Sequence, residues 1–452
     1  MVNNSLEKGY YKMYLAKIIK SSGNTYIYDA LNNNFAVINS EADILDDNNY
    51  EDFLINNDFR DVKKYSEFEL IYPYSKEELK NMCLSKIKNM TLALTEQCNL
   101  RCKYCGYMPK YMDDDHKLKD MPKEIAFKAI DLLMMNSHDS EVCNLSFYGG
   151  EPLLKLDLIK ECIDYISNKY PFRKPSYNIT TNAVLLDDKV ADFIIENDIK
   201  LNISFDGPRK DQNKYRVDCN GNDSYERVSK NVQALYRKDP KFFRESVTYN
   251  VVMFKGANND LFQSIDNLWK SNVNMIDLFP TEYFMSVRDK SDDSDINEMI
   301  DVKSYDFAYR TMLKGMKKYH NSLKGPAYGN AILPGGFCVP GVRKNFVTTD
   351  GKIVVCEKVD ESKEVFEIGD VYNGIDSNKI DRLVNQTLKS LEKCKHCWAA
   401  KFCKICFKDI LDNNSDFCEK ARKGVEGELG YYLEHVNHDR DLVNYVENIS
   451  LI

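Results

Sequence analysis

The stretch Thr95-Glu96-Gln97-Cys98-Asn99-Leu100-Arg101-Cys102-Lys103-Tyr104-Cys105 closes an apolar, β-type run, Met90–Thr95, and decides how the rest of the chain is read. Its cysteines are spaced Cys98-x3-Cys102-x2-Cys105. Thiolates this close together in one loop can take three corners of a cubane iron–sulfur cluster and leave the fourth iron open to a ligand. A zinc knuckle is the competing reading; it needs a fourth ligand, and His116 is the nearest candidate. Outward from this loop, β-type runs at Asn144–Tyr148, Tyr177–Thr181, Leu201–Ser204, Val247–Met253 and Met275–Phe279 follow Met90–Thr95. They alternate with helical periods at Ile125–Met135, Leu158–Lys169, Lys189–Glu196, Tyr225–Tyr236 and Leu261–Lys270. Six β/α units in series argue for a parallel sheet with right-handed crossovers, closed fully or partly into a barrel. Function is then expected at the carboxyl ends of the strands, where the cysteine loop lies.

The chain has 452 residues, which at roughly 150 residues per domain is enough for two or three domains. With 62 Lys+Arg against 70 Asp+Glu the net charge is −8, so the basic footprint of a nucleic-acid binder is missing. The opening MVNNSLEKGYYKMYLAKIIK lacks the apolar centre of a signal peptide, and no run approaches the ~20 apolar residues of a membrane span. A cytoplasmic protein is expected, and there 14 cysteines point to metal or redox chemistry rather than disulfides.

Residues 1–85 alternate short β-type runs, Met13–Ile19, Thr25–Tyr28 and Phe35–Ile38, with polar turns, and add helical segments at Glu41–Asn56 and Lys76–Lys88. This is a small α/β module of the winged-helix size class; a mere cap on the next domain is the alternative. The expected order is this module at 1–85, the barrel at 86–293 and a helical linker at 294–330. A cysteine-rich domain at 331–418 and a helical tail at 419–452 complete it.

Further short segments sit at successive strand ends: Gly149-Gly150-Glu151-Pro152, then Asn178-Ile179-Thr180-Thr181-Asn182, then Ser204-Phe205-Asp206-Gly207-Pro208. Each alone is an ordinary strand-to-helix loop, and Ser204 or Asp206 an ordinary helix N-cap. Two glycines permit a ligand to approach the main chain closely, and a carboxylate at Glu151 complements an ammonium. In this order the segments, with the cysteine loop, resemble the radical SAM superfamily. The resemblance implies that Cys98, Cys102 and Cys105 hold a [4Fe–4S] cluster whose open iron chelates S-adenosylmethionine (SAM). It implies that Tyr104 lies against the adenine and that Gly149, Gly150, Glu151 and Pro152 hold the methionine amino group. Ser204 would contact the ribose and Arg216 the methionine carboxylate, with Thr181, Asn182 and Asp206 also lining the SAM site. The implied chemistry is reductive cleavage of SAM to a 5′-deoxyadenosyl radical that takes an unactivated hydrogen from the substrate.

A second set runs Cys338-x12-Gly351-x4-Cys356, then Cys394-x2-Cys397-x5-Cys403-x2-Cys406 and Cys418. Asp350-Gly351 between Asn345–Thr348 and Lys352–Val355 signals a hairpin able to bring Cys338 and Cys356 together. The arrangement resembles the SPASM domain, whose two auxiliary clusters would bring the total to three [4Fe–4S] clusters. By that resemblance Cys338, Cys356 and Cys406 hold the first auxiliary cluster and Cys394, Cys397, Cys403 and Cys418 the second. The chain departs from the pattern once: only Lys404-Ile405 separate Cys403 from Cys406, where the family usually has three residues. Some members of the family add an eighth cysteine just upstream of the first, and Ala331–Phe337 contains none. The first auxiliary cluster is thus expected to keep an open iron, able to hold a substrate thiol as thiolate. Zinc on the four cysteines of the other set is the competing reading. Cys83, Cys143 and Cys162 read as small buried hydrophobes, Cys219 as a loop residue beside the barrel mouth, and Trp398 and Phe402 as shields for a cluster.

SPASM resemblance implies a peptide or protein substrate. The N-terminal module resembles the leader-recognition domains of peptide-modifying members, which capture an extended leader as an added strand. The expectation is therefore a maturase of a ribosomally made precursor peptide, of the sactipeptide or ranthipeptide type. It would join a cysteine sulfur to a carbon, with an electron donor such as flavodoxin or ferredoxin. Three competitors share features: a carbon–carbon cross-linking maturase, an anaerobic sulfatase-maturing enzyme that makes formylglycine, and a non-catalytic iron–sulfur or zinc module that binds peptides.

Overall fold

The computed structural model describes residues 10–11, 16–20, 24–30, 34–38, 68–113, 117–206, 209–253, 284–287, 331–332, 338–403, 405–411 and 417–438. The chain divides into two compact units, each assembled from separated stretches. One comprises Met1–Tyr74, Ala308–Cys338 and Leu383–Ile452; the other comprises Ser75–Phe307 and Val339–Arg382.

In the first unit, β1 (Tyr10–Tyr11), β2 (Ala16–Lys20), β3 (Thr25–Asp29) and β4 (Asn34–Ile38) form an antiparallel sheet in sequence order. The short strand β5 (Glu69–Leu70) follows. Ile19, Tyr26 and Tyr28 of this sheet are buried with Phe68, with Trp398, Ala399, Ala400 and Phe402, and with Val425, Leu429, Tyr432 and Leu433 of the helix Phe417–His438. The rings of Tyr28 and Phe402 lie 5.5 Å apart. Four short strands cannot bury an aromatic face alone, and this one is covered by residues hundreds of positions away. The expected segments 1–85, 331–418 and 419–452 hold apart residues that share one core. The helix expected over Glu41–Asn56 lies outside the described residues.

The second unit starts with helix Lys76–Ser85, opened by a capping box in which Glu78 N donates to Ser75 Oγ (3.3 Å) and Ser75 N to Glu78 Oε2 (2.7 Å). Strands β6 (Asn89–Ala93), β7 (Asn144–Tyr148), β8 (Ser176–Thr181), β9 (Lys200–Ser204), β10 (Val247–Met253) and β11 (Phe284–Val287) then run parallel, side by side in that order. Helices Lys123–Met135, Leu156–Lys169, Asp188–Glu196 and Tyr225–Lys238 make the crossovers from β6 through to β10. The sixth strand stands at Phe284–Val287 instead of Met275–Phe279; that run, the helix at Leu261–Lys270 and the linker 294–330 lie outside the described residues.

Among the described residues the sheet does not close into a barrel. In the first unit β12 (Ala331–Ile332) pairs with β5. In the second, β13 (Asn345–Val347) adds in parallel to the free edge of β6, and β14 (Lys352–Val354), β15 (Glu367–Asp370) and β16 (Gly374–Ile375) continue antiparallel to give ten strands. The expected hairpin at Asp350-Gly351 is present, with Gly351 at φ +89°. It extends the parallel sheet because Phe346 and Val354 bury against Ala93 of β6 and Asn345 Nδ2 donates to Asn89 O (3.3 Å).

Along β7 to β10 buried and half-buried positions alternate. Leu145, Phe147, Tyr177, Ile179, Leu201, Ile203, Val247 and Tyr249 fill one face. The other face carries Asn144, Ser146, Asn178, Thr180, Asn202, Ser204, Thr248 and Asn250, all half-buried. A parallel sheet covered on both faces would read as continuous apolar runs. The alternation therefore marks a polar, partly open face leading to the strand ends.

Candidate active site at the strand ends

The cysteine loop is pinned from both sides. At its base Thr95 Oγ1 donates to Asp120 Oδ1 (2.6 Å) and accepts from Gln97 N (3.0 Å). Farther along, Arg101 N donates to Val217 O (2.6 Å) and Lys103 N to Tyr215 O (3.0 Å). Each thiol of the loop has an N–H group directed at it. Leu100 N (3.3 Å) and Asn182 Nδ2 (3.7 Å) face Cys98 Sγ, Arg216 Nη1 (3.9 Å) faces Cys102 Sγ, and Tyr107 N (3.4 Å) faces Cys105 Sγ. N–H groups on sulfur favour the thiolate, the form that binds metal. Burial, helped by the Glu151 carboxylate, pushes Cys98 up to about 12; burial pushes Cys102 up to about 11, with Arg216 acting the other way. In the metal-free loop these are neutral thiols, and loading a metal group must release their protons.

The two glycines serve a purpose the sequence did not reveal. Gly149 sits at φ +128°, and a Cβ on it would stand 2.3 Å from Thr95 O; a Cβ on Gly150 would stand 2.1 Å from Gln97 O. What approaches them closely is the backbone leading into the cysteine loop, to which Gly150 N (onto Thr95 O, 2.7 Å) and Glu151 N (onto Gln97 O, 2.9 Å) donate. Glu151, 1% exposed, accepts from Leu153 N (3.1 Å), Thr181 Oγ1 (2.7 Å) and Asn182 N (2.8 Å). Burial pushes it up to about 7 against those three donors. Pro152 starts a short 3-10 turn after it. Asn182 ties this group to the loop through Nδ2, which also donates to Asn99 Oδ1 (2.8 Å).

Asp206 and Arg216 form a buried pair, Nε to Oδ2 at 2.8 Å. Burial opposes the Arg216 charge, but the Asp206 carboxylate beside it outweighs that and holds the guanidinium charged. Tyr104 Oη donates to the same Asp206 oxygen, and the guanidinium lies 5.3 Å from the Tyr104 ring centroid. A closed ring of bonds supports the pair: Asp206 N to Gln212 Oε1 (2.8 Å), Gln212 Nε2 to Ser224 Oγ (3.1 Å) and Ser224 Oγ to Arg216 O (2.7 Å). Gln212 and Ser224 carried no motif and were missed by the sequence reading. Ser204 is half-buried on the polar face of β9; Gly207 and Pro208 lie outside the described residues.

Among the described residues no three His, Cys, Asp or Glu side chains stand close enough together to hold a single metal ion. The loop nonetheless fits a sulfur-ligated cluster on its donor chemistry: three thiols, each met by an N–H group, with Arg216 beside them. Two buried polar atoms at the loop, Asn99 Nδ2 and Tyr111 Oη, have no hydrogen-bond partner among the described residues, as expected of groups that face a ligand. Tyr111, in the helix Met108–Met112, also escaped the sequence reading because no motif reaches past Cys105.

In the first unit Cys394 is pushed up to about 12 by burial and then by Cys397, Cys403 and Cys418, which places those three thiols within electrostatic range of Cys394. Burial likewise raises Cys397, opposed by the Ala399 backbone and by Arg422, whose side chain hydrogen-bonds to it. Cys406 is exposed, its N–H donating to Asp409 Oδ2 (3.2 Å). Cys338 belongs to the first unit and Cys356 to the second. Cys83 and Cys162 are buried, whereas Cys143 is only half-buried, 3.4 Å from Ser137 Oγ; Cys219 is exposed. Trp398 and Phe402 lie in the core shared with the N-terminal sheet, with Cys397 packed on that core. His116 lies outside the described residues.

Residues 92–268 match the Radical SAM superfamily. A cysteine-type anaerobic sulfatase-maturating enzyme of Clostridium novyi is 25% identical over 67% of this chain and 83% of that protein. The radical SAM cyclopropyl synthase TigE of Paramaledivibacter caminithermalis is 25% identical over 49% of this chain and 47% of its own. Among solved structures, native anSMEcpe with bound AdoMet aligns over 80% of this chain and all of its own, with a TM-score of 0.54 and 19% identity. The same protein with bound AdoMet and the Cp18Cys peptide aligns with a TM-score of 0.51 and 19% identity. At that identity the likeness shows the fold. No helix among the described residues is long and apolar enough to cross a membrane.

Proposed function

We propose that the chain is a SAM-dependent peptide maturase that joins a cysteine sulfur to a carbon of a precursor peptide, as in sactipeptides and ranthipeptides. The observation that carries the radical step is the convergence of three N–H-supported thiols, Glu151 and the Asp206–Arg216 pair at the ends of successive parallel strands. SAM bound at the cluster supplies a 5′-deoxyadenosyl radical that takes a substrate hydrogen. The chain's own part is to hold and orient. Cys98, Cys102 and Cys105 hold the cluster, and Glu151 presents a carboxylate where the SAM amino group binds. Arg216, kept charged by Asp206, presents a cation to the SAM carboxylate, with Tyr104 beside it. Gly149, Gly150 and Pro152 shape the Glu151 turn, and Thr181, Asn182 and Ser204 complete the wall.

A peptide substrate is favoured by the solved relative that carries one and by the maturases that share most of their length with this chain. The four thiols Cys394, Cys397, Cys403 and Cys418 would hold one auxiliary cluster. Cys338, Cys356 and Cys406 would hold another, with an iron left open for the substrate sulfur. The sheet β1–β4 would take the leader, and a flavodoxin or ferredoxin would supply electrons. Formylglycine formation is the second reading, favoured by the likeness to a sulfatase-maturating enzyme over 83% of its length. Carbon–carbon linkage is a third, favoured by the similarity to a cyclopropyl synthase.

The test is anaerobic reconstitution, an assay for 5′-deoxyadenosine, and co-expression with a short cysteine-containing peptide encoded beside the gene. The expected product is two hydrogens lighter, with fragmentation locating a sulfur-to-carbon link. Loss of the cysteine thiol to an aldehyde would establish the second reading. Absence of 5′-deoxyadenosine in a protein that holds iron and sulfide would overturn the radical mechanism.

A further inference from the structure

Tyr111 has a buried hydroxyl with no hydrogen-bond partner among the described residues, an arrangement that costs free energy unless something else fills the gap. Its ring is fixed from two directions. The Arg101 guanidinium lies 4.2 Å from the ring centroid and is itself anchored through Nη1 to Cys98 O (2.7 Å) and Leu100 O (2.9 Å). The Tyr107 ring stacks at 6.5 Å and 24°, and Tyr107 N faces Cys105 Sγ. Tyr111 N donates to Tyr107 O (3.2 Å). Both residues that hold the phenol are thus fastened to the cysteine loop. Burial raises the Tyr111 phenol above its ordinary value, so the hydroxyl keeps its proton, and the sulfurs of Cys98, Cys105 and Cys102 stand within electrostatic range of it. Asn99 Nδ2, on the same loop, is a second buried donor without a partner.

We propose that the Tyr111 hydroxyl donates a hydrogen bond to a sulfur of the cluster held by Cys98, Cys102 and Cys105, and thereby raises that cluster's reduction potential. The assignment rests on the cluster reading given under Proposed function. A donor on sulfur withdraws electron density and favours the more negative, reduced cluster, so hydrogen bonds to the sulfurs are among the protein's levers on potential. The hydroxyl moves no proton and breaks no bond; it acts on how easily the cluster accepts the electron.

The test is Tyr111→Phe in the full chain, reconstituted with iron and sulfide and titrated by EPR without SAM, so that SAM binding does not enter the measurement. Iron and sulfide content should be unchanged. The reduced-to-oxidised ratio of one cluster at the wild-type midpoint should fall about tenfold, ~59 mV for one electron, while the remaining clusters stay put as internal controls. In the metal-free protein the same change should leave the thermal midpoint unchanged or raise it, because only an unpartnered hydroxyl is lost. An unshifted potential in a fully loaded variant overturns the assignment alone, and so does a lowered midpoint of the metal-free variant, which would give the hydroxyl a partner within the protein. A wild-type chain that binds no iron–sulfur cluster overturns the assignment together with the reading it rests on.

Discussion

The two cysteine sets are assembled in different ways. Cys98, Cys102 and Cys105 stand on one short loop, and the groups that support their sulfurs come from that loop and from neighbouring ends of one sheet. Cys394, Cys397, Cys403 and Cys418 combine a turn-rich stretch with the start of a helix; Cys397 packs on the core shared with the sheet β2–β4, and Cys394 and Cys403 on a separate cluster with Leu391, Ile405 and Ile410. The first site is local to its sheet. The second depends on packing between stretches that are far apart in sequence, so its geometry is as stable as that packing.

The largest expected effect tests this dependence. Phe402, 1% exposed, joins the two sides of that core, and Phe402→Ala should cost about 3–5 kcal/mol. Hydrogen exchange should show lost protection in residues 16–38 and 417–438, with iron lost from the second set alone. Phe147→Ala in β7 should instead weaken the parallel sheet, and equal iron loss at both sets in either variant would break the comparison. Next comes Gly150→Ala, whose methyl would meet Gln97 O; overpacking of this kind costs about 1–3 kcal/mol. Iron analysis should find the first cluster depleted and the auxiliary iron retained.

The last effect is one of pH. In the metal-free protein burial raises Glu151 from the ordinary 4.5 to about 7. Between those values the folded chain keeps a proton that the unfolded chain has released, so this group's contribution to stability falls as pH rises through that window. Glu151→Gln should flatten that part of the pH–stability curve measured by denaturant titration; an unchanged slope would mean the carboxyl is not the source.

Much of the second unit was legible because its signals are local. Asn144–Tyr148 and Val247–Met253 are strands with the limits their β-type runs suggested, and the Asp350-Gly351 turn makes the expected hairpin. The chemical segments stand at consecutive strand ends because each terminates its own run. The rest was set by tertiary contacts that leave no periodic trace. Nothing near Phe346 says that its strand will pair with β6, or near Tyr28 that its ring will meet Phe402. The glycines after β7 looked like room for a ligand, and only the register with β6 shows that the Thr95–Gln97 backbone takes that room.

The shared core of the first unit also fixes an order of events during synthesis. Tyr26 and Tyr28 leave the ribosome long before Trp398, Phe402 and Leu429, which bury them, have been made. Nearly the whole second unit, Ser75–Phe307 and Val339–Arg382, is translated in between. Domains generally fold as units while the chain grows. The N-terminal sheet must therefore wait, with its aromatic face exposed, until the last stretch of the first unit emerges. Closure of that unit, around Cys394 to Cys418, is the final step of folding, and a chain truncated before residue 398 would keep its cysteine loop yet leave its N-terminal sheet uncovered.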